Sequence, residues 1–145
     1  MTRMFEKSKI QRLPKINYAS PSTMSSMFSE CKYLREIPDG WGEDWNWDEI
    51  HAYQYGYMSA IFNGCYSLRK ISPSFLSNLW GKQTSQFPTA STFTYCVSLD
   101  EITNFPVGSS IFIATSNRFS AFVQHCYRLK TLTFETDEMN NPKTV

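Results

Sequence analysis

The chain has little of the material that common functional signatures are made from. Its 145 residues include only two histidines and six glycines, and no phosphate-cradling glycine loop is present. Its four cysteines never form a Cys-x-x-Cys pair, the close spacing that zinc sites use. Charged residues make up 19% of the chain and the formal net charge is +1, so charge gives no argument for nucleic acid as a partner. No stretch approaches the roughly 18 apolar residues of a membrane span. The opening residues, Met1 to Lys7, lack the apolar run of a signal peptide. The expectation is a chain not exported by the usual route, or a fragment of a longer one.

What is present is repetition. Met27-Phe28-Ser29-Glu30-Cys31-Lys32-Tyr33-Leu34-Arg35-Glu36-Ile37 returns from Ile61 to Ile71, from Thr92 to Ile102 and, more loosely, from Phe122 to Leu132. Every cysteine occupies one position of this phrase: Cys31, Cys65, Cys96 and Cys126, spaced 34, 31 and 30 residues apart. A fifth, degenerate copy opens the chain at Met4-Phe5, with Ser8 in the cysteine position. A period of this size predicts a solenoid in which each copy adds one coil and contacts mainly its neighbours. The fold class is therefore an α/β repeat solenoid of leucine-rich-repeat type, one domain over 1–134. About five coils are expected, at 1–21, 22–55, 56–87, 88–117 and 118–134, with a polar tail or the start of a further segment at 135–145.

Each half of the phrase has its own pattern. Met24, Met27, Phe28 and Cys31 fall at the spacing of one helical face, so a short helical turn is expected, with Ser22 or Thr23 as its cap. Leu-x-x-Ile reads as one short strand per coil in a parallel ladder. The expected core is Phe28, Cys31, Leu34, Ile37, Phe62, Cys65, Leu68, Ile71, Phe93, Cys96, Leu99, Ile102, Cys126, Leu129 and Leu132. Strand positions between the apolar residues form two columns, Arg35-Arg69-Asp100-Lys130 and Glu36-Lys70-Glu101-Thr131. Strands about 4.8 Å apart place Glu36 beside Lys70 and Lys70 beside Glu101.

The phrase resembles the BspA-type leucine-rich repeat family, including its Met-Phe-x-x-Cys-x-x-Leu variant; Met24 to Pro38 is the nearest copy. The resemblance implies a solenoid with the cysteine facing inward. It also implies the attachment work typical of such repeats in bacterial and protist surface proteins and in gut-phage virions. The chain departs from the family by period, since three of its spacings exceed the usual 23 to 26 residues. The extra residues fall into inserts between coils.

Inserts are where specificity is expected. The first, Pro38 to Tyr57, holds three of the four tryptophans, interleaved with five acidic residues. Trp41, Trp45, Trp47, Tyr53 and Tyr55 are the candidate ligand-binding residues. Such rings suit sugar stacking or a protein hot spot, and they equally suit packing against the solenoid edge. The second insert predicts a short helix, with Ser72 as N-cap, Pro73 in its first turn and Gly81 as its stop. In the third, Ile111 to Ala114 reads as an extra strand, buried or in an interface.

Chemistry is expected to be absent. The cysteines read as small buried hydrophobes, consistent with synthesis in a reducing compartment. His125-Cys126 is the one adjacent base–nucleophile pair, and sequence neighbours tend to point apart. Asp44, Asp48 and Glu49 lack a glycine-centred calcium loop and read as solvated. The expectation is a non-enzymatic binding or attachment module without metal or cofactor. It would be a phage tail or receptor-binding component, with a bacterial cell-surface adhesin or a structural assembly subunit as alternatives. Its partner would be a protein or glycan receptor or neighbouring subunits, and its location the virion or a cell surface.

Overall fold

The computed structural model describes residues 1–48, 59–80, 91–105 and 122–134. Its regular elements are β1 (Glu36–Ile37), β2 (Lys70–Ile71), α1 (Pro73–Trp80), β3 (Glu101–Phe105) and β4 (Thr131–Phe134). The strand expected at Ile111 to Ala114, the helix stop at Gly81 and the tail 135–145 lie outside the described residues.

The first half of each phrase is not helical. From Met24 to Cys31 the amides of Met27, Ser29 and Cys31 donate within the copy, to the carbonyls of Met24, Ser26 and Phe28 at 3.0 Å. The alternate amides leave the copy: Ser26 donates to Ser59 O, Phe28 to Ile61 O and Glu30 to Asn63 O. The same step recurs from Arg3, Phe5 and Lys7 to Ser25, Met27 and Ser29, and from Phe62 and Gly64 to Thr92 and Thr94. Phe93 and Tyr95 carry it to Phe122 and Gln124. Left-handed backbone at Ser26 (φ 54°) and Glu30 (φ 57°) breaks any helix, and Arg3, Lys7, Ala60, Ser91, Tyr95 and His125 share that conformation in their copies. The expected helical turn is thus corrected to a run of β-turns. Eight residues cannot sustain a helix alone, whereas carbonyls of the next copy satisfy every second amide. Chain reversals every three or four residues return Met24, Met27, Phe28 and Cys31 to one inward face, imitating helical spacing.

The second half of the phrase forms parallel strands. β1 pairs with β2 through Glu36↔Lys70 and Ile37↔Ile71. β3 pairs with β4 through Glu101↔Thr131 and Ile102↔Leu132. A bulge then restores the pairing at Phe105↔Phe134. Asn104 sits in that bulge at φ 52°, a conformation asparagine tolerates, and its amide donates to Thr133 Oγ1 at 3.1 Å. Lys70 and Glu101, expected side by side in one ladder, belong to separate two-stranded sheets. The chain turns into α1 directly after Ser72, which limits β2 to two residues. The row just before the strands is continuous nonetheless: Arg69 N–H donates to Arg35 O (2.8 Å), Asp100 to Arg69 (3.4 Å) and Lys130 to Asp100 (3.0 Å).

α1 follows the sequence signals closely. Ser72 Oγ accepts from Phe75 N–H at 3.4 Å, and Pro73 occupies the first helical position, where its missing amide costs nothing. Phe75, Leu76 and Leu79 are fully buried.

In the core, one phenylalanine per copy stacks on the next. Phe5–Phe28, Phe28–Phe62 and Phe62–Phe93 have ring centroids 5.6, 5.4 and 5.5 Å apart and lie within 7° of parallel. The column ends at Phe93 because the looser fourth copy carries Val123 in the ring position, and Phe122 caps it edge-on at 5.1 Å. Met24, Cys31, Leu34, Ile37, Cys65, Leu68, Cys96 and Leu99 are fully buried beside it. The fourth copy departs from the expected core: Cys126 and Leu129 are half-buried, and Leu132 is 36% exposed. Among the described residues no later copy covers them.

Phe62 is stacked on both faces, so Phe62→Ala is expected to destabilise the chain by about 3–5 kcal/mol. Urea denaturation followed by circular dichroism measures this. The loss should exceed that for Phe5→Ala, whose ring is only partly buried.

Candidate ligand-binding face

Each predicted site residue has a definite place. Trp41, Trp45 and Trp47 are 8%, 5% and 5% exposed and belong to the core. Their indoles contact one another, with centroids 4.6 Å apart for Trp41–Trp45 and 5.4 Å for Trp45–Trp47. Trp41 and Trp47 also meet Phe75 of α1, at 5.4 and 5.7 Å. All three N–H groups are engaged by carbonyls: Trp41 donates to Pro14 O, Trp45 to Ile16 O and Trp47 to Gly42 O, at 3.0, 3.0 and 2.9 Å. Their candidacy as ligand-binding residues is therefore corrected. Rings without exposed faces and with satisfied donors fasten residues 14–19 to the insert and to α1. Asn46 N–H adds a further tie to Ala19 O at 2.8 Å. Tyr53 and Tyr55 lie outside the described residues.

Gly42 is built into this cluster. Its φ is +81°, and a Cβ there would lie 3.2 Å from Trp47 Cζ2 and 3.4 Å from Trp45 Cδ2. Gly42→Ala is expected to cost about 1–3 kcal/mol through left-handed strain and crowding. It should appear as a lower urea midpoint with an unchanged m-value.

The cysteines form a second buried system. Cys31 Sγ donates to Phe5 O, Cys65 to Phe28 O, Cys96 to Phe62 O and Cys126 to Phe93 O, at 2.8, 2.9, 3.1 and 2.9 Å. None is in a disulfide. Burial is the main cause that pushes the Cys31 thiol from its ordinary value near 9 up to about 11. Burial likewise raises Cys65, Cys96 and Cys126, with neighbouring thiols adding to the rise at Cys65 and Cys96. A thiol held protonated, pointing at a carbonyl, is a poor nucleophile. His125 makes no pair with Cys126: its Nδ1 meets Tyr127 Oη at 2.9 Å and its ring stacks on Tyr95 at 4.5 Å. Among the described residues no group of three or more His, Cys, Asp or Glu side chains is arranged to hold a metal ion.

A thiol with a higher pKa in the folded chain binds its proton more tightly there. Its contribution to stability is complete below the unfolded pKa and declines as pH rises through the folded one. Folding stability is therefore expected to hold up to about pH 8 and to fall from about pH 9 upward, the window over which Cys31 titrates between its two values. Urea midpoints across pH 7–10.5 measure this. Cys31→Ala/Cys65→Ala/Cys96→Ala/Cys126→Ala should flatten the decline.

The outward side of the phrase is where accessible aromatic groups collect. Tyr33, Tyr66, Tyr95 and Tyr127 are 51%, 40%, 44% and 76% exposed, one in each cysteine-bearing copy and each within two residues of its cysteine. Because the copies are in register, equivalent positions touch along columns. Just before the cysteine, Lys7 pairs with Glu30 at 3.7 Å, Glu30 lies over Gly64, and Tyr95 stacks on His125. Just after it, Lys32 Nζ sits 5.7 Å over the Tyr66 ring. Two clefts lie along the described copies, and Tyr33 helps to line the first. One, about 340 Å³, is lined by Lys7, Ser8, Lys9, Glu30, Lys32 and Tyr33. The other, about 300 Å³, is lined by Arg35, Ser67, Arg69 and Ser98. Sequence reasoning passed over this face, although a tyrosine beside every cysteine was visible. Its offset from the cysteine changes between copies (+2, +1, −1, +1), so it forms no fixed motif.

No protein-family model, curated protein or solved structure matches the chain. Among the described residues no helix is long and apolar enough to cross a membrane.

Proposed function

We propose that the chain is a non-enzymatic binding module, a leucine-rich-repeat-type solenoid of the BspA kind that presents its tyrosine face to a receptor. The observation that carries this reading is the set of exposed tyrosines, one per cysteine-bearing copy, on copies that the backbone ladder holds in register. Tyrosine supplies large, rigid contact area at low entropic cost, for a glycan or a protein surface alike. In-register pairing of equivalent residues supports the solenoid reading.

The setting proposed is a phage virion, as a tail or receptor-binding component. Four free thiols, three of them buried and one half-buried, suit a chain that folds in a reducing compartment before assembly. A bacterial surface adhesin would use the same face after export. Assembly with neighbouring subunits is a second reading, favoured by the exposed Leu132 and half-buried Leu129 of the fourth copy. A monomer by mass photometry counts against it.

Tyr33→Ala/Tyr66→Ala/Tyr127→Ala removes the rings that hold no core contact. Binding of the labelled protein to bacterial cells and to a glycan array is expected to weaken at least tenfold, with the melting curve unchanged. Full binding by this triple variant would overturn the reading. Trp45→Ala is no substitute, since it would abolish binding through unfolding.

A further inference from the structure

Arg35 and Arg69 are equivalent residues of successive copies, and the bond from Arg69 N–H to Arg35 O at 2.8 Å sets them side by side. Like charges directly opposite on neighbouring strands repel. The next residue of the row, Asp100, is the carboxylate that would relieve this, but Arg128 Nε holds it at 3.2 Å. Asp39 is likewise turned to Lys70, at 3.5 Å. Among the described residues neither Arg35 nor Arg69 has a carboxylate within ion-pair distance. Ser67 and Ser98, a second pair of equivalent residues, line the same cleft, and neither hydroxyl has a partner among the described residues. Two arginines and two serines thus line about 300 Å³ of space, and no acidic residue is among its described lining.

From this arrangement we infer that the Arg35–Arg69 cleft binds the oxyanion of an acidic saccharide. The planar fork of arginine matches a carboxylate or sulfate with paired hydrogen bonds, and serine hydroxyls complete the donor set. The volume admits the anionic group together with its sugar ring. The inference rests on the binding-module reading and names the chemistry the face selects. Carboxylate and sulfate share that chemistry and are separated by experiment.

The test uses the full chain with polygalacturonate as carboxylate probe, dextran sulfate as sulfate probe and neutral dextran as control, by isothermal titration calorimetry at 50 mM salt. Arg35→Gln/Arg69→Gln is compared with Lys130→Gln, which lies on the same row outside the cleft. At least one acidic polymer is expected to bind, neutral dextran to bind at least tenfold more weakly, and inorganic sulfate to compete. The double variant should lose at least tenfold, with Lys130→Gln within twofold of the parent chain. Which polymer binds identifies the anion. Equal binding by the double variant, equal binding of neutral dextran, or no binding of either acidic polymer overturns the inference. If cell binding still depends on Tyr33, Tyr66 and Tyr127 in that case, the binding-module reading stands and only the ligand class falls.

Discussion

The carbonyl of the repeated phenylalanine is the point on which the structure turns. Phe28 O accepts from Cys31 N–H of its own copy at 3.0 Å and from Cys65 S–H of the next at 2.9 Å. Phe5, Phe62 and Phe93 use their carbonyls in the same way. One lone pair closes the local turn and the other bonds the neighbouring copy. This explains why cysteine recurs three residues after the ring position. The side chain there must be small enough for a fully buried place, yet able to donate one hydrogen bond. A thiol meets both demands with a smaller desolvation penalty than a hydroxyl. Ser8, in the same position of the first copy, turns instead to its own copy and accepts from Ile10 N–H.

This pairing constrains the backbone around it. Amides can alternate between the copy and its neighbour only if the chain reverses at short intervals, and the reversals require left-handed residues. Arg3, Lys7, Ser26, Glu30, Ala60, Ser91, Tyr95 and His125 all adopt φ between 54° and 62° with a Cβ attached. Each is strained by about 1 kcal/mol or more relative to ordinary backbone. The bonds between copies hold that strain in place, and the stacked phenylalanines hold the bonds. Interior and ladder are therefore one system, and removing a ring loosens the turns outside it.

The same logic explains how much was legible beforehand. The inward positions of Phe28, Cys31, Leu34 and Ile37 follow from recurrence alone, and column reading places Glu36 beside Lys70, where the strands pair them. The Ser72 cap and Pro73 follow from local signals. The character of the first half did not, because reversals every three to four residues give the apolar spacing of a helix. The tryptophans misled for another reason. The partners of Trp41 and Trp45 are the carbonyls of Pro14 and Ile16, 27 and 29 residues earlier, and a carbonyl leaves no trace in side-chain pattern. Aromatic density in an insert is thus a poor guide to exposure when a distant stretch of backbone can accept its N–H groups.

The proposed recognition role would gain from this division. A binding surface loses free energy to every side chain it must order, but here several rings are held before any ligand arrives. Tyr95 stands on left-handed backbone and stacks on His125, whose Nδ1 meets Tyr127 Oη at 2.9 Å. Tyr66 sits beneath Lys32. Arg35 and Arg69 are fixed at their backbones by the row that crosses all four cysteine-bearing copies. On that proposal, selectivity would change by exchanging residues such as Glu30, Tyr95 and His125, which share one column with the buried Gly64. The phenylalanine carbonyl and its two donors beneath them stay the same.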